Sequence, residues 1–211
     1  MKNLEKKFFS KHDPQILPLL RASVVGIAGA GGLGSSVAVS LARAGIGKLI
    51  IVDFDRIEIS NLNRQQYFWS QVGKVKVRAL LENLGKINPF SEYVGCERRI
   101  TPKNVKTIFG EADLLIEAFD RAGQKQMLIE SWIAQFPDRP IIAASGLSGW
   151  GRNQKIRQRR VGNLYICGDE ESEPVRGISP MAPRVGIVAN MQANLAVELL
   201  VKMRQKNVQG R

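Results

Sequence analysis

Four glycines and an acid in the first quarter of the chain have the types and spacing of a nucleotide-binding turn. Gly29, Gly31 and Gly34 occupy the three glycine places of a GxGxxG motif directly after an apolar run, with Gly32 beside them. Glycines at these places allow a tight turn, a close approach of backbone N–H groups to phosphate, and close packing of the next helix. Asp53 ends the following apolar run about 20 residues after Gly34, where a carboxylate binds a ribose hydroxyl. The pattern predicts a nucleotide site and fits NAD as well as ATP.

A second group of polar residues follows Asp53 and supplies donors for phosphate. Arg64 can bind phosphate through two parallel hydrogen bonds, whereas Lys76 provides a mobile point charge. Lys76 opens an amphipathic helical segment, so we expect it at the rim of the apolar face of that helix, from which it can reach toward a cleft. Hydride transfer has no use for these donors, and they favour ATP over NAD. The candidate nucleotide-binding residues of this part of the chain are Asp55, Asn61, Asn63, Arg64, Gln65 and Lys76.

Asp120 ends the apolar run DLLIEAFD and precedes a helical pattern. A carboxylate at the end of a strand can hold a metal ion that is bound to phosphates, and the same position can cap the next helix. A doubly wound sheet binds its ligands at the carboxyl ends of the strands, which favours the metal or nucleotide role. Helix capping remains the alternative.

The sequence blocks that carry these residues resemble the ThiF/MoeB/HesA-type adenylyltransferases, bacterial relatives of ubiquitin-activating enzymes. By its length and its YICGD and ASGLSGWG segments, the chain is most similar to the short ThiF branch of thiamine biosynthesis. A weaker similarity extends into the C-terminal segment. The matching blocks are GAGGLG (29–34), AGIGKLIIVDFD (44–55), SNLNRQ (60–65), VGKVK (72–76), KINP (86–89) and EAFDRAGQK (117–125).

The resemblance implies a reaction in which a ThiS-like sulfur carrier ending in Gly-Gly attacks the α-phosphate of ATP. The products are an acyl-adenylate and pyrophosphate, and Mg²⁺ accompanies the ATP. By the same resemblance Gly32 lines the phosphate loop, Asp53 binds ribose, Arg64 and Lys76 balance phosphate charge, and Asp120 holds the magnesium. Arg64, Lys76 and Asp120 are thus the predicted catalytic residues, and a homodimer is the expected assembly.

The chain departs from the family pattern in two ways. Larger relatives carry two CxxC pairs for a structural zinc, whereas this chain has only Cys96, Cys167 and the single histidine His12, so no zinc is expected. The arginine-rich N-terminal segment from which some relatives extend an arginine into the partner's site is also missing. Arg21 or the basic stretch 152–160 are the candidates to replace it.

Cys167 is a candidate thiol for accepting sulfur or an acyl group, as in some relatives. Its ICGDE context suggests a mobile, glycine-flanked segment, where Arg159 and Arg160 favour a thiolate and the acids 169–171 disfavour it. A structural role is the alternative, and Cys96 is interpreted as a packing residue.

Composition and periodicity predict the fold class. The chain has 211 residues and is 44% hydrophobic, which suits one α/β domain over 1–211, with a helical extension over 1–20 and an edge hairpin and active-site loop over 150–183. We expect a Rossmann-like, doubly wound, mainly parallel sheet with an antiparallel edge hairpin and a C-terminal helix. Strands are predicted at 22–28, 48–53, 92–96, 112–119 and 140–145, a hairpin about 161–162, and helices at 3–10, 35–44, 74–87, 101–109, 121–135 and 185–203.

Two cysteines, a charged N-terminus and the lack of long apolar runs lead us to expect a cytoplasmic protein with no membrane span. The stripe Val188, Met191, Leu195 and Leu199 of the last helix fits either the core or a dimer face.

The net charge of +12 permits several partners. The basic stretch 152–160 fits a solvated edge strand, a docking site for an acidic carrier, or a nucleic-acid contact. Nucleic acid is disfavoured, because no aromatic residues lie among the basic ones, yet a tRNA-modifying branch of the same superfamily also activates a carboxylate with ATP. A non-catalytic nucleotide-binding scaffold is a further alternative, and a dehydrogenase ranks last.

Overall fold

Seven strands form a single sheet in the computed structural model, which describes residues 2–173, 175 and 177–209. The sheet order is β3-β2-β1-β4-β5-β7-β6, and all neighbouring strands are parallel apart from the antiparallel pair β6 and β7. This is the predicted fold class, with the order reversing between β1 and β4. The strands are β1 (Val24–Ala28), β2 (Lys48–Val52), β3 (Glu92–Cys96), β4 (Leu114–Glu117), β5 (Ile141–Ala144), β6 (Arg157–Val161) and β7 (Leu164–Gly168).

The helices follow the predicted alternation, but several of their bounds differ from the prediction. The helix predicted at 101–109 begins only at Val105, and the last helix, predicted at 185–203, runs from Ala182 to Gln209. The helix after β1 begins at Gly32, three residues earlier than predicted, so the glycine turn feeds directly into it. A short helix that was not predicted contains Pro18 in its first turn, where proline is tolerated because its missing N–H has no helical partner. The helices are α1 (Lys2–Phe8), α2 (Leu17–Arg21), α3 (Gly32–Ala44), α4 (Lys76–Ile87), α5 (Val105–Phe109), α6 (Ala122–Gln135) and α7 (Ala182–Gln209).

Apolar side chains cover both faces of the sheet. Along β2, Leu49 and Ile51 pack with α3, α4 and α7 on one face, whereas Ile50 and Val52 pack with α5 and α6 on the other. This alternation follows from the two-residue period of a strand. The continuous apolar runs of the central strands are therefore those of a parallel sheet buried on both sides.

The C-terminal helix α7 packs against α3 and the sheet. Of the predicted stripe, Val188 and Leu195 are buried, and Met191 and Leu199 are partly buried against the same core. By length and composition alone, the segment Ala182–Lys206 is also suited to span a membrane. Core helices share this property, and the packing of α7 accounts for its apolar face.

The edge hairpin turns at residues 162–163, one residue beyond the predicted centre. Gly162 has a φ of +60°, a backbone conformation that favours glycine. Every residue of the edge strand β6 is exposed. Charged side chains on a free edge oppose pairing with other chains, so the solvated-edge interpretation of Arg157, Arg159 and Arg160 agrees with the structure.

Candidate active site

The glycine turn connects β1 to α3 at the centre of the sheet's carboxyl edge. Gly29 has a φ of +102°, and a Cβ there would lie 2.8 Å from the carbonyl oxygen of Ala118. A Cβ on Gly34 would lie 1.8 Å from the carbonyl oxygen of Gly29. At these two positions any side chain would collide with backbone atoms, so glycine is required. Gly31 and Gly32 instead line the open cleft above the turn.

Asp53 holds the turn from the neighbouring strand. Its Oδ2 accepts a hydrogen bond from Ala30 N at 2.6 Å, and its Oδ1 accepts one from Asp55 N at 2.8 Å. Each carboxylate oxygen has further acceptor capacity, so these bonds leave room for a ribose hydroxyl. Ribose binding by Asp53 stays a prediction, and its contact with the glycine turn adds a structural role.

Arg64 reaches the cleft from the segment between β2 and α4. Its Nη1 donates to Asn63 Oδ1 at 2.7 Å and to Ser60 O at 3.3 Å, so Asn63 holds the guanidinium in place. Asn61 is buried, and its Oδ1 accepts a hydrogen bond from Glu58 N. Gln65 is also buried, and its Oε1 has no hydrogen-bond partner within the described part of the chain. That acceptor is available to a ligand.

Lys76 lies in the wall of the cleft, toward which we expected it to reach. Only 7% of the residue is exposed, although it is the first residue of α4. Its Nζ contacts Asp55 Oδ2 at 3.0 Å. About half of the Asp55 side chain is exposed, so solvent screens this ion pair and the lysine keeps donors for an anion.

These residues surround a cleft of about 1030 Å³ that opens where the strand order reverses between β1 and β4. Open parallel sheets bind ligands at this point. The connections that follow the two adjacent strands run to opposite faces of the sheet, and this leaves a crevice at the carboxyl ends of the strands. Gly34, Asn63 and Cys167 do not line the cleft. The predicted residues that do are Gly29, Gly31, Gly32, Asp53, Asp55, Asn61, Arg64, Gln65, Lys76 and Asp120.

Asp120 is an exposed carboxylate in the wall of the cleft and does not cap α6. The residue at the N-cap is Arg121, without a capping hydrogen bond from its side chain. No group of three or more His, Cys, Asp or Glu side chains arranged for a metal ion occurs in the described residues. A single carboxylate suits Mg²⁺ that takes its other ligands from phosphate and water, so the site fits a phosphate-bound magnesium and not a protein-only metal site.

Cys167 lies in β7 and is fully buried in the core, which corrects the expectation of a mobile segment. Burial raises the pKa of its thiol to about 12. The strand alternates buried Tyr165 and Cys167 with partly buried neighbours, a signal that the flanking glycine obscured. The structure supports the alternative of a structural cysteine. Cys96 is partly buried against the other face of the sheet, as a packing residue.

The thiol of Cys167 is expected to resist alkylation in the folded protein. At pH 8 it is protonated and inaccessible, whereas Cys96 is partly exposed and reacts first. Mass spectrometry after timed iodoacetamide treatment, with and without denaturant, measures both sites. Modification of Cys167 in the native protein at the rate of Cys96 would show that β7 opens readily.

Neither candidate for the missing N-terminal arginine lines the cleft. Arg21 is fixed by Glu5 Oε1 at 2.9 Å and by the carbonyl oxygen of Phe90 at 2.6 Å. In the basic stretch, Arg159 forms an ion pair with Glu170, and Lys155 forms one with Glu171. Within one copy of the chain, both candidates therefore have structural partners outside the site.

The loop after β7 contributes Ser172 and Glu173 to the lining of the cleft, and a buried ion pair fixes its first part. Asp169 Oδ2 accepts a hydrogen bond from Arg184 Nη2 at 2.5 Å, and its Oδ1 accepts one from Ser172 N at 2.8 Å. Arg184 Nη1 donates to the carbonyl oxygen of Gly151 at 2.5 Å. Asp169 and Arg184 thus join the start of α7 to the loops that contain Gly151 and Ser172. Ser172 itself lies in the wall of the cleft. Neither residue was predicted.

Replacement of Asp169 by Asn is expected to lower the free energy of unfolding by about 3 kcal/mol, because it leaves Arg184 buried and unpaired. Burial opposes the charge of Asp169, but hydrogen bonds from Ser172 and Glu171 and the Arg184 charge outweigh it, so the pKa of Asp169 is lowered. Because the pKa of Asp169 is lower in the folded state, its charge stabilises the fold fully above the ordinary Asp pKa of about 3.9. This stabilisation is lost as the pH falls through the folded-state pKa.

Urea unfolding of wild type and Asp169→Asn from pH 3 to pH 8 measures this contribution. The difference between the two proteins should be constant at neutral pH and shrink below about pH 4. A difference that grows on acidification would contradict the assignment.

Two further parts of the cleft were not predicted. At one end, the guanidinium of Arg99 lies 4.3 Å from the centre of the Phe54 ring, and both residues line the cleft next to Asp53. At the other end, Glu117 and Lys125 form an ion pair of 2.7 Å. Phe54 and Arg99 come from segments that are distant in sequence, whereas Glu117 and Lys125 are the two ends of the block EAFDRAGQK (117–125), in which neither residue was singled out.

Comparison with known proteins identifies the family. The model of the ThiF family matches residues 7–211. The chain belongs to the ThiF family. This ThiF-family protein is 31% identical over 195 residues to the adenylyltransferase and sulfurtransferase uba4 of Emericella nidulans, covering 86% of this chain but only 40% of the fungal protein. It is 28% identical over 183 residues to the sulfur carrier protein ThiS adenylyltransferase of Escherichia coli, covering 84% of this chain and 72% of that protein.

Solved structures share the fold of this ThiF-family protein. The Escherichia coli tRNA N6-threonylcarbamoyladenosine dehydratase TcdA, solved in complex with ATP, superposes with a TM-score of 0.85 at 19% identity and covers 97% of this chain and 96% of that chain. Escherichia coli MccB, also solved with ATP, gives a TM-score of 0.69 at 22% identity and covers 89% of this chain and 59% of that chain. At these identities the likeness establishes the fold.

Proposed function

We propose that this ThiF-family protein adenylates the C-terminal Gly-Gly carboxylate of a ThiS-like sulfur carrier. The observation that carries the proposal is the convergence of Arg64, Lys76 and Asp120 around a glycine turn in one cleft. Two cations and a free carboxylate at a phosphate-binding turn can handle a triphosphate with its magnesium, and a simple binding scaffold has no need of the full set. Curated relatives named as adenylyltransferases, including one that acts on ThiS, support it.

ATP fits the cleft in one direction. Its phosphates lie on the glycine turn at the positive end of α3, where backbone N–H groups are available to an anion. The ribose then lies beside Asp53, and the base extends toward Phe54 and Arg99 at the same end of the cleft. Gln65 has a buried acceptor without a partner among the described residues, which suits a donor group of a ligand.

In the proposed reaction, an oxygen of the carrier's terminal carboxylate forms a bond to the α-phosphorus of ATP. The bond from that phosphorus to the oxygen bridging the β-phosphate breaks, and pyrophosphate leaves with the electron pair. The carboxylate and the triphosphate are both anions and must approach each other. Arg64 and Lys76 therefore neutralise phosphate charge and hold the triphosphate so that the leaving pyrophosphate is in line with the attacking oxygen. Asp120 would hold Mg²⁺, which supplies further neutralisation of the phosphates when it is bound.

ATP–pyrophosphate exchange tests this proposal. Exchange is measured with Mg²⁺ and ATP, using Gly-Gly-ended carrier proteins from the same genome in one arm and bulk tRNA in the other. We expect exchange that depends on a carrier and falls at least about hundredfold in Asp120→Asn, with Asp138→Asn, an exposed acid outside the cleft, as the matched control. Turnover of ATP that depends on tRNA and not on any carrier would refute the carrier as substrate and favour the tRNA-modifying branch.

A role in thiamine thiazole formation, a homodimer and a cytoplasmic location belong to the same proposal. Exchange that is specific for a ThiS-type carrier supports the first. Light scattering at micromolar concentration measures the second, and a monomer with full activity would contradict it.

A further inference from the structure

A buried tyrosine holds the glycine turn from a position that does not line the cleft. The hydroxyl of Tyr67 donates a hydrogen bond to the carbonyl oxygen of Ala30 at 2.7 Å, and the side chain is part of the core. Ala30 is itself fully buried, and its N–H donates to Asp53 Oδ2 at 2.6 Å. The peptide groups on both sides of Ala30 are therefore fixed, one by a carboxylate and one by a phenol.

The hydroxyl of Ser35 holds the next carbonyl group of the turn. It donates to the carbonyl oxygen of Gly31 at 2.6 Å and accepts a hydrogen bond from Gln66 N at 3.1 Å. The backbone N–H of Ser35 donates to the same carbonyl oxygen at 3.0 Å. Gln66 and Tyr67 are consecutive residues of the segment that also carries Arg64. This segment is thus joined to the glycine turn through two hydroxyl groups.

The two anchored carbonyl groups determine the direction of two N–H groups. In a trans peptide the carbonyl and the following N–H point in opposite directions, and the described residues contain no cis peptide. The Ala30 carbonyl points to Tyr67, so the N–H of Gly31 points away from that ring. The Gly31 carbonyl points to Ser35, so the N–H of Gly32 points out of the first turn of α3. Neither N–H has an acceptor in the described chain, and both glycines line the cleft. Both donors are available to an anion.

We propose that Tyr67 is a positioning residue for phosphate: its hydroxyl holds the Ala30 carbonyl away from the cleft and so directs the Gly31 N–H toward the triphosphate. The inference rests on the nucleotide site of the proposed function and adds a residue to it. Burial and the Asp53 carboxylate raise the pKa of Tyr67, so its hydroxyl keeps its proton and remains a donor. Without that donor the Ala30 carbonyl is buried and unpaired. Rotation of the peptide toward water then moves the Gly31 N–H away from the phosphate.

Binding measurements on Tyr67→Phe separate this role from a general effect on the fold. The variant removes only the hydroxyl group and keeps the ring that packs in the core. We expect the Kd for ATP with Mg²⁺, measured by calorimetry without a carrier protein, to rise about tenfold, the loss of one hydrogen bond to a charged group. The Kd for adenosine, which has no phosphate, should stay within about twofold of wild type in an NMR titration.

Tyr93→Phe is the matched control for this variant. The Tyr93 hydroxyl also donates to a backbone carbonyl oxygen, that of Asn88 at 2.8 Å, and neither residue lines the cleft. Both Kd values of the control should stay within about twofold of wild type. Equal weakening of ATP and adenosine binding in Tyr67→Phe would show that the hydroxyl supports the whole site. Unchanged ATP affinity would show that the turn keeps its direction without it. Either result would overturn the inference.

The amide proton resonance of Gly31 tests the same inference in the wild-type protein, whether or not Tyr67→Phe folds. ATP and inorganic tripolyphosphate should each move this resonance to lower field, because the N–H gains a hydrogen bond to an anion, and adenosine should not. In Tyr67→Phe saturated with ATP the displacement should be smaller. A Gly31 resonance that neither phosphate ligand moves would overturn the inference. Wild-type protein that binds ATP in this way but shows no exchange with any carrier would instead refute the proposed adenylation and leave the role of Tyr67 supported.

Discussion

Replacement of Lys76 by Met is expected to lower carrier-dependent ATP–pyrophosphate exchange by about 10²- to 10³-fold, the usual effect of removing one preorganised donor to developing charge. Lys76 lies in the cleft wall with only 7% of the residue exposed, so water replaces its charge poorly. Its only ion-pair partner in the described chain, Asp55, is half exposed and remains solvated after the change. The loss of stability should therefore be small, within about 1 kcal/mol.

Lys74→Met is the matched control for this experiment. Lys74 lies two residues earlier, is exposed, and forms an ion pair of 3.3 Å with Glu82 outside the cleft. Exchange within about twofold of wild type is expected, since exposed pairs contribute little. Equal losses in both variants, or a fall in Tm that accounts for the loss in Lys76→Met, would contradict a direct role of Lys76 in the reaction.

Replacement of Gly34 by Ala is expected to destabilise the fold by about 4 kcal/mol or to prevent folding. The new Cβ would lie 1.8 Å from the carbonyl oxygen of Gly29, and neither backbone can yield without displacing the turn from β4. Thermal unfolding measures the effect. Gly85→Ala, within α4 and with no atom within 4 Å of the new Cβ, should instead be neutral or stabilising by up to about 1 kcal/mol, because alanine favours helix.

Gly31→Ala separates the structural glycines from those that face a ligand. Gly31 has a φ of −76°, and the nearest atom to a new Cβ is Gln65 Nε2 at 3.9 Å. The variant should fold with nearly the wild-type Tm but bind ATP more weakly, because the methyl group stands where phosphate approaches the backbone. Unchanged ATP affinity would place the phosphates elsewhere in the cleft.

The nucleotide half of the cleft was predictable because its information is local. The glycine turn and Asp53 have fixed spacing, and the donors Arg64 and Lys76 fall in one short segment. Once the chain alternates strands and helices, the handedness of the crossovers brings these segments to one edge of the sheet. The structure adds two details: Lys76 is buried in the cleft wall, and Asn63 supports Arg64 without reaching the cleft.

The other half was not predicted, because its ion pairs form only when a helix packs against the end of a strand. Asp169 meets Arg184, and Glu117 and Lys125 face each other only after α6 packs on the sheet. In the sequence, neither the block 117–125 nor the acids after Cys167 indicate which charges pair. Cys167 was interpreted as mobile because a glycine and acids follow it, although burial of alternate residues in β7 places it in the core.

The contact of α7 with α3 has a consequence for the order in which the chain is made. A Cβ on Gly32 would lie 3.2 Å from Val185 Cγ1, and Ser40 Oγ donates to Asn190 Oδ1 across 150 positions of sequence. The glycine turn is thus translated well before α7, the helix that backs it, which follows every strand of the sheet in the chain. Until α7 has been translated and packs on α3, the nascent chain exposes the apolar side of α3. We therefore expect the chain to be most prone to aggregation, and most dependent on a chaperone, during this interval.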